Sequence, residues 1–340
     1  MRRVAHYHMQ EFMNSMCGYI ESYEFYNEGI VKELETKIKE YTGSKYALCV
    51  NSATNALFMC LYLISKEKDP KKNEVIIPNY GFPAASRVCN FLGLVPIPVD
   101  IEKETISITP KSVQSAFSPL TMAYINVETN GIVGYAESLK GLDSNIVYIE
   151  DAAPSMLQEY KGKKAGTFGD VGIYSFSPTK PMCSGEGAVI ITDREDLYDG
   201  LKKIRYSDHL SSDISLNFNM SPFLAAYLIP QFESLDIVIG VREQLHSDYR
   251  EHLKIFSQDD VTNRYGSIMY LSDKAEKISK KLTQFGIEHR YKHYPLYRHS
   301  NTMLNSIDIY NKIIDLPMHH NMKYTDVTAV CRIIKGVEDE

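Results

Sequence analysis

The feature that most constrains this chain is the rhythm of its first two-thirds, where short apolar runs alternate with amphipathic helical stretches. Strands are expected at Tyr46–Val50, Glu74–Ile77, Val95–Val99, Met122–Asn126, Ile146–Glu150, Gly172–Phe176 and Ala188–Thr192. Between them, Val31, Leu34, Ile38 and Tyr41 share one face of a helix that stops at Gly43. Leu57, Cys60, Leu61 and Ile64 share a face of the next, and Ala84–Leu92 forms a third, closed by Gly93. Strands alternating with crossover helices define an α/β class, a mainly parallel sheet covered by helices on both faces. Towards the C-terminus the pattern changes. Pro222–Gln244 reads as one long helix, followed by a strand near Tyr265–Tyr270, a helix from Asp273 to Phe285 closed by Gly286, and a strand around Ile287–Tyr291. The expected organisation is a large domain over residues 1–235, including an N-terminal helical segment, and a small C-terminal α+β domain over residues 236–340.

With 340 residues, 44% of them hydrophobic, the chain can bury a sizeable core. Its net charge of −6 argues against a nucleic-acid partner, since a phosphate-gripping surface would be basic. The Lys- and Glu-rich stretch from Val31 to Tyr41 reads as a solvated helix face. Six cysteines occur without a CxxC pair, and Cys49, Cys60, Cys89 and Cys331 lie in apolar runs, which suits a reducing cytoplasm; no metal site is read from them. The N-terminal MRRVAHYHMQEF has no apolar h-region, and no window approaches a membrane-spanning length of apolar residues.

In open parallel sheets ligands sit beyond the carboxyl ends of the strands, so the residues that follow each strand carry the chemistry. Asp151 follows Ile146–Glu150 in VYIEDAAPS. A carboxylate there serves as a metal ligand, an acid/base or a partner for a ring nitrogen, or simply caps a helix. Lys180 lies in the Gly-rich loop of GDVGIYSFSPTKPMCSGEGAVI, flanked by Ser175, Ser177 and Thr179 and by Ser184–Gly187. Most lysines are solvated surface residues, but one held in such a loop and partly desolvated becomes a neutral amine able to attack a carbonyl. Asn51–Asn55 joins a strand to a helix start, either an anion site built from free N–H groups or an ordinary N-cap by Ser52 or Thr54. Phe82, in PNYGFPAAS, is either packing or a platform for a flat ring. No GxGxxG turn follows the first strand, which disfavours a dinucleotide-binding protein.

Taken in order, KYALCVNSATNAL, EVIIPNYGFPAAS, GLVPIPVDIEKETISI, YIEDAAPS, KGKKAGTFGDVGIYSFSPTK, SGEGAVIIT, LNFNMSPFLAAYLIPQFESLD, HYPLY and IIDLPMHHNMKYTDV resemble the DegT/DnrJ/EryC1/StrS family of sugar aminotransferases. The resemblance runs from about residue 22 to the C-terminus and implies the fold type I architecture of pyridoxal 5'-phosphate (PLP) enzymes. It implies that Lys180 carries PLP as a Schiff base and that Asp151 pairs with the pyridine nitrogen, keeping the ring an electron sink. It places Phe82 on one face of the ring and Ala153 on the other. The amides of Ala53 and Thr54 and the hydroxyl of Ser175 would hold the phosphate, and Asn217 would reach the phosphate of a neighbouring subunit in a homodimer whose active sites lie at the interface. Three positions depart from the family pattern: Pro154 stands where a Gln is usual, Asn219 where an Arg is usual, and Arg205–Asp208 replace R-N-H-G.

The implied function moves an amino group from an amino acid, L-glutamate in most of the family, to a nucleotide-linked keto-deoxy sugar. The product is an amino sugar for surface polysaccharide or secondary-metabolite synthesis. Lys180 would shuttle the proton in both halves of the cycle. Glu186, His293, Tyr294 and His319 are candidates for the substrate side because they sit in loops near the expected cleft. The alternatives are a family sugar dehydratase, in which a His replaces the lysine, and a catalytically silent PLP- or sugar-binding relative. The sugar, the aminated carbon and the oligomer beyond a dimer are not readable from the residues.

Overall fold

The computed structural model describes residue 17 and residues 29–67, 71–206, 215–258, 261–262, 267–294, 296–297, 301–319 and 321–340. Its dominant feature is a seven-stranded sheet built from β1 (Tyr46–Val50), β2 (Glu74–Pro78), β3 (Val95–Val99), β4 (Thr121–Val127), β5 (Val147–Asp151), β8 (Val171–Ser175) and β9 (Ala188–Thr192). A two-stranded hairpin, β6 (Glu159–Tyr160) with β7 (Lys163–Lys164), lies between β5 and β8 in the chain. The order across the large sheet is β1-β9-β8-β5-β4-β2-β3. Every pairing from β8 through β5, β4 and β2 to β3 is parallel, and β9 alone runs against its neighbours β1 and β8. The α/β expectation is met, and the strand runs lie within a residue of the positions anticipated.

These strands are apolar throughout because both faces are covered. On β4, Ala123, Ile125 and Val127 pack to one side, whereas Tyr124 turns to the other and stacks on Tyr148 of β5 at 4.9 Å. One layer contains α2 (Ala53–Glu67), α3 (Ala84–Phe91) and, further along the chain, Glu195–Arg205, whose Leu57, Leu61, Val88, Leu197 and Leu201 share a core with β1, β2 and β4. The opposite layer contains α1 (Gly29–Thr42), with Ile30, Val31, Leu34 and Ile38 buried against Tyr174 and Phe176. Gly43 ends α1 at φ +74°, a conformation that glycine adopts without Cβ strain. Two short helices, α4 (Pro110–Ser115) and α5 (Ala136–Leu139), link strands of the sheet, and the helix Glu195–Arg205 is α6.

The stretch expected as one helix, Pro222–Gln244, is two: α7 (Pro222–Glu233) and α8 (Leu235–His252), bent 67° at Ser234. Pro230 inside α7 has no N–H for the helical ladder, and Ser234 leaves the helical region at φ −99°, ψ 8°. Among the described residues no single helix is long and apolar enough to cross a membrane.

After α8 comes an antiparallel three-stranded sheet, β10 (Ile268–Leu271), β11 (Arg290–Tyr291) and β12 (Ile313–Leu316), in the order β10-β12-β11. It carries α9 (Ala275–Gln284), α10 (Leu304–Lys312) and α11 (Tyr324–Glu338), whose Ile278, Leu282, Val327, Val330 and Ile334 form a second core with Leu245 and Tyr249 of α8. The strand near Tyr265–Tyr270 starts at Ile268, and that expected over Ile287–Tyr291 shortens to its last two residues. Asp151 is the last residue of β5 rather than the first after it.

Candidate active site

The carboxyl ends of β1, β2, β5 and β8 open on one edge of the large sheet, and a cavity of about 310 Å³ lies there. Its wall brings together, from separate parts of the chain, Ala53, Thr54, Phe82, Asp151, Ala153, Ser175, Lys180, Glu186, His293 and Tyr294. Ten of the twelve residues singled out above therefore meet in one place. His319 lines a second, adjoining cavity of about 270 Å³ instead. Asn217 is exposed and lies on neither wall; its Oδ1 accepts the Asn219 N–H at 3.3 Å.

Part of the first cavity's wall can receive an anion. The Ser52 carbonyl accepts the Ala56 N–H at 2.9 Å, and its Oγ accepts the Asn55 N–H at 3.2 Å. This caps α2 and leaves the first-turn N–H groups of Ala53 and Thr54 without an intrahelical acceptor, at the positive end of a fifteen-residue helix. Ser175 on β8 adds a hydroxyl to the same wall. Phe82 is 51% exposed, an uncovered ring on the wall where a flat ligand would stack.

The same wall carries a carboxylate and an amine, Asp151 and Lys180. Asp151 is buried at the end of β5, its Oδ1 accepting the Ala153 N–H at 3.2 Å. Burial pushes its carboxyl up, while the Ala153 N–H and the Lys180 charge pull it back. Lys180 is half-buried, and desolvation lowers its amine to about 8; Asp151 opposes that fall and Arg290 adds to it. An amine in this range is partly neutral near physiological pH, as a nucleophile and proton carrier must be. At pH 7 its neutral fraction should exceed that of an ordinary lysine by about 300-fold. Competitive labelling of the cofactor-free protein with acetic anhydride, read by peptide mass, is therefore expected to show half-maximal reactivity of Lys180 near pH 8. A midpoint above 10, as for a surface lysine, would remove this assignment.

The ends of β4 and β5 support this edge from below. Glu150 points away from Asp151, as strand alternation requires, and accepts the N–H groups of Gly166, Phe168 and Gly169 at 2.6, 2.8 and 2.9 Å. Glu128, fully buried at the end of β4, is pushed well up by burial and by Glu150, and its carboxyl accepts the Ser155 hydroxyl.

Two departures from the family pattern have structural readings. Pro154 lies on the boundary of the two cavities and offers no donor to either. Arg205 is buried away from both; its Nη1 donates to Glu35 Oε1 at 3.0 Å and to the Cys49 carbonyl at 3.3 Å, tying α6 to α1. Ser207 and Asp208 lie outside the described residues. The residue that the sequence reading passed over is Arg290, which lines both cavities and faces Lys180 strongly enough to depress its amine. Its strand was anticipated, but nothing in a lone arginine of a short strand signals which way it faces.

A seven-stranded sheet of this order, with a lysine and an aspartate converging at its carboxyl edge, has the architecture of fold type I aminotransferases. The chain superimposes on Helicobacter pylori PseC, an aminotransferase involved in pseudoaminic acid biosynthesis, with a TM-score of 0.86 at 22% identity over 97% of both chains. On the PLP form of the putative sugar aminotransferase Spr1654 from Streptococcus pneumoniae the TM-score is 0.84 at 19% identity, over 98% of this chain and 97% of that one. In sequence it is 26% identical to the UDP-2-acetamido-2-deoxy-3-oxo-D-glucuronate aminotransferase of Pseudomonas aeruginosa, over 88% of this chain and 89% of the relative. Residues 8–335 match the DegT/DnrJ/EryC1/StrS aminotransferase family, and the chain belongs to it.

Proposed function

We propose that this aminotransferase uses PLP held at Lys180 to move an amino group from an amino acid, L-glutamate first among candidates, to a nucleotide-linked keto-deoxy sugar. The observation that carries the reading is the shared wall of Lys180, Asp151, Phe82 and the α2 start, an amine, a carboxylate, an aromatic plate and an anion cradle around one cavity. These residues fit the cofactor's parts in size and charge. The first-turn N–H groups of Ala53 and Thr54, with Ser175, would receive the phosphate. Phe82 and Ala153 would enclose the ring, and Asp151 would face its nitrogen. When bound, PLP supplies the electron sink for carbanion chemistry. Lys180 holds it through its amine and, once released, carries the proton at Nζ between the reacting carbons.

The sugar side of the reading is supported by the relatives above, one of which is named for a nucleotide-linked oxo-sugar acid. Glu186, His293 and Tyr294 are on the wall that such a substrate would meet. Asn217, exposed and outside this cavity, is in keeping with a role across a homodimer interface. The reading retains a large unit to residue 235 and a small one from residue 236, supported by the separate three-stranded sheet and the break at Ser234, and places the enzyme in the cytoplasm.

The test is a panel of nucleotide-linked 3-keto and 4-keto sugars, offered with L-glutamate and followed by mass change of the sugar. Conversion of at least one to its amino counterpart is expected. Transfer only to simple keto acids would reject the sugar assignment.

A further inference from the structure

We infer that Arg290 is a specificity-determining residue of the cavity that holds Lys180, where it receives an anionic oxygen group of the incoming substrate; the identity of that substrate rests on the aminotransferase reading. Arg290 and Lys180 share the wall of the first cavity, and both also line the second. A substrate that reacts at Lys180 therefore meets a wall that already carries a guanidinium.

The strand sets this direction. β11 is the two-residue edge strand of the small sheet, with Arg290 opposite Asp315 and Tyr291 opposite Ile314 on β12. Tyr291 packs on the second core, and its hydroxyl donates to the Asn311 carbonyl at 3.2 Å. Strand alternation turns Arg290 to the opposite face, towards the cavities it lines. Asp315, across the ladder, is engaged elsewhere: its Oδ1 accepts the Asn130 side-chain N–H at 2.6 Å. Among the described residues the Arg290 side chain forms no hydrogen bond or ion pair.

An ordinary arginine of an edge strand extends into solvent and bears on no other charge. Arg290 instead is half-buried, lies on the wall and adds to the fall of the Lys180 amine. Asp151 opposes that fall, and Glu186, His293 and Tyr294 complete the ionisable groups of the first cavity's wall. Two cations on the wall of one recess attract an anion. The paired oxygens of a carboxylate or phosphate match the planar fork of a guanidinium, which a lysine does not offer. Such a group seated on Arg290 would offset its field, so the Lys180 amine gains proton affinity as the substrate arrives.

The experiment is isothermal titration calorimetry on the PLP-loaded full chain with two probes. Glutarate carries carboxylates but no amine, and UDP carries the diphosphate of a nucleotide sugar. Affinity for at least one of them should fall by about tenfold to hundredfold in Arg290→Gln. A loss for glutarate assigns the residue to the amino donor, and a loss for UDP assigns it to the sugar nucleotide. Arg290→Lys, which keeps the charge but not the fork, should retain part of the affinity. In the cofactor-free chain the labelling midpoint of Lys180 should rise above pH 8 in Arg290→Gln and stay near pH 8 in Arg290→Lys. A merely structural arginine would leave that midpoint in place. Unaltered affinity for both probes in Arg290→Gln, a parent protein that binds neither probe, or an unmoved midpoint would overturn the assignment. Probe binding that depends on Arg290, in a parent that transfers no amine from any amino acid, would sink the aminotransferase reading and leave the anion site standing.

Discussion

Replacing Lys180 with alanine is expected to abolish covalent retention of the cofactor and to slow amine transfer by at least about 10³-fold, because one amine serves both as anchor and as proton carrier. Among the described residues Lys180 forms no side-chain hydrogen bond or ion pair, and it lies in a loop between β8 and β9 rather than in a core cluster. The variant should therefore fold. Its cofactor should bind reversibly through the contacts at Ala53, Thr54, Ser175, Phe82 and Asp151, and should leave on gel filtration where the parent keeps it. Added primary amines should restore part of the rate, since they supply the missing proton carrier. A Lys180→Ala protein that still holds the cofactor covalently would move the anchor to another lysine.

The second large effect is expected at Asp151. Asp151→Asn keeps the oxygen that accepts the Ala153 N–H at 3.2 Å and removes only the charge. Amine transfer should fall by about 10²–10³-fold, the usual size of a lost electrostatic contact in a dry site, while thermal stability stays close to the parent's. A further signature separates an electrostatic role from a structural one. Asp151 opposes the desolvation that lowers the Lys180 amine to about 8. With the carboxylate gone the protonated amine loses its partner, so the labelling midpoint of Lys180 should move down in pH. An unchanged midpoint would mean that the two side chains do not interact.

Much of this was legible in the chain. The strands from Tyr46 to Thr192 announced themselves because sheets covered on both faces must be apolar at nearly every position, and Gly43 and Gly93 punctuate the helices between them. Because parallel strands end on a common edge, knowing the strands amounted to knowing that Thr54, Phe82, Asp151 and Lys180 would meet. What stayed hidden has equally physical causes. The break at Ser234 lies inside an uninterrupted apolar helix pattern, and Pro230 alone does not say whether a helix bends or ends. β12 follows directly on α10 at Ile313 with no turn residue between them, so its four apolar-rich residues carried no boundary. The burial that pushes the Asp151 carboxyl up, against the pull of the Ala153 N–H and Lys180, comes from packing around β5 and is not written in VYIEDAAPS. Arg290 joins the site through tertiary packing, which one-dimensional spacing does not encode.

The central claim is tested most directly by mixing the PLP-loaded protein with L-glutamate and no acceptor, while following the cofactor's visible absorbance and the oxoacid released. The account predicts that the absorbance bleaches and that one 2-oxoglutarate appears per active site. It also predicts that adding a keto-sugar acceptor restores the original spectrum. A cofactor that binds at Lys180 but neither bleaches nor yields oxoacid, whatever amino acid is offered, would contradict it.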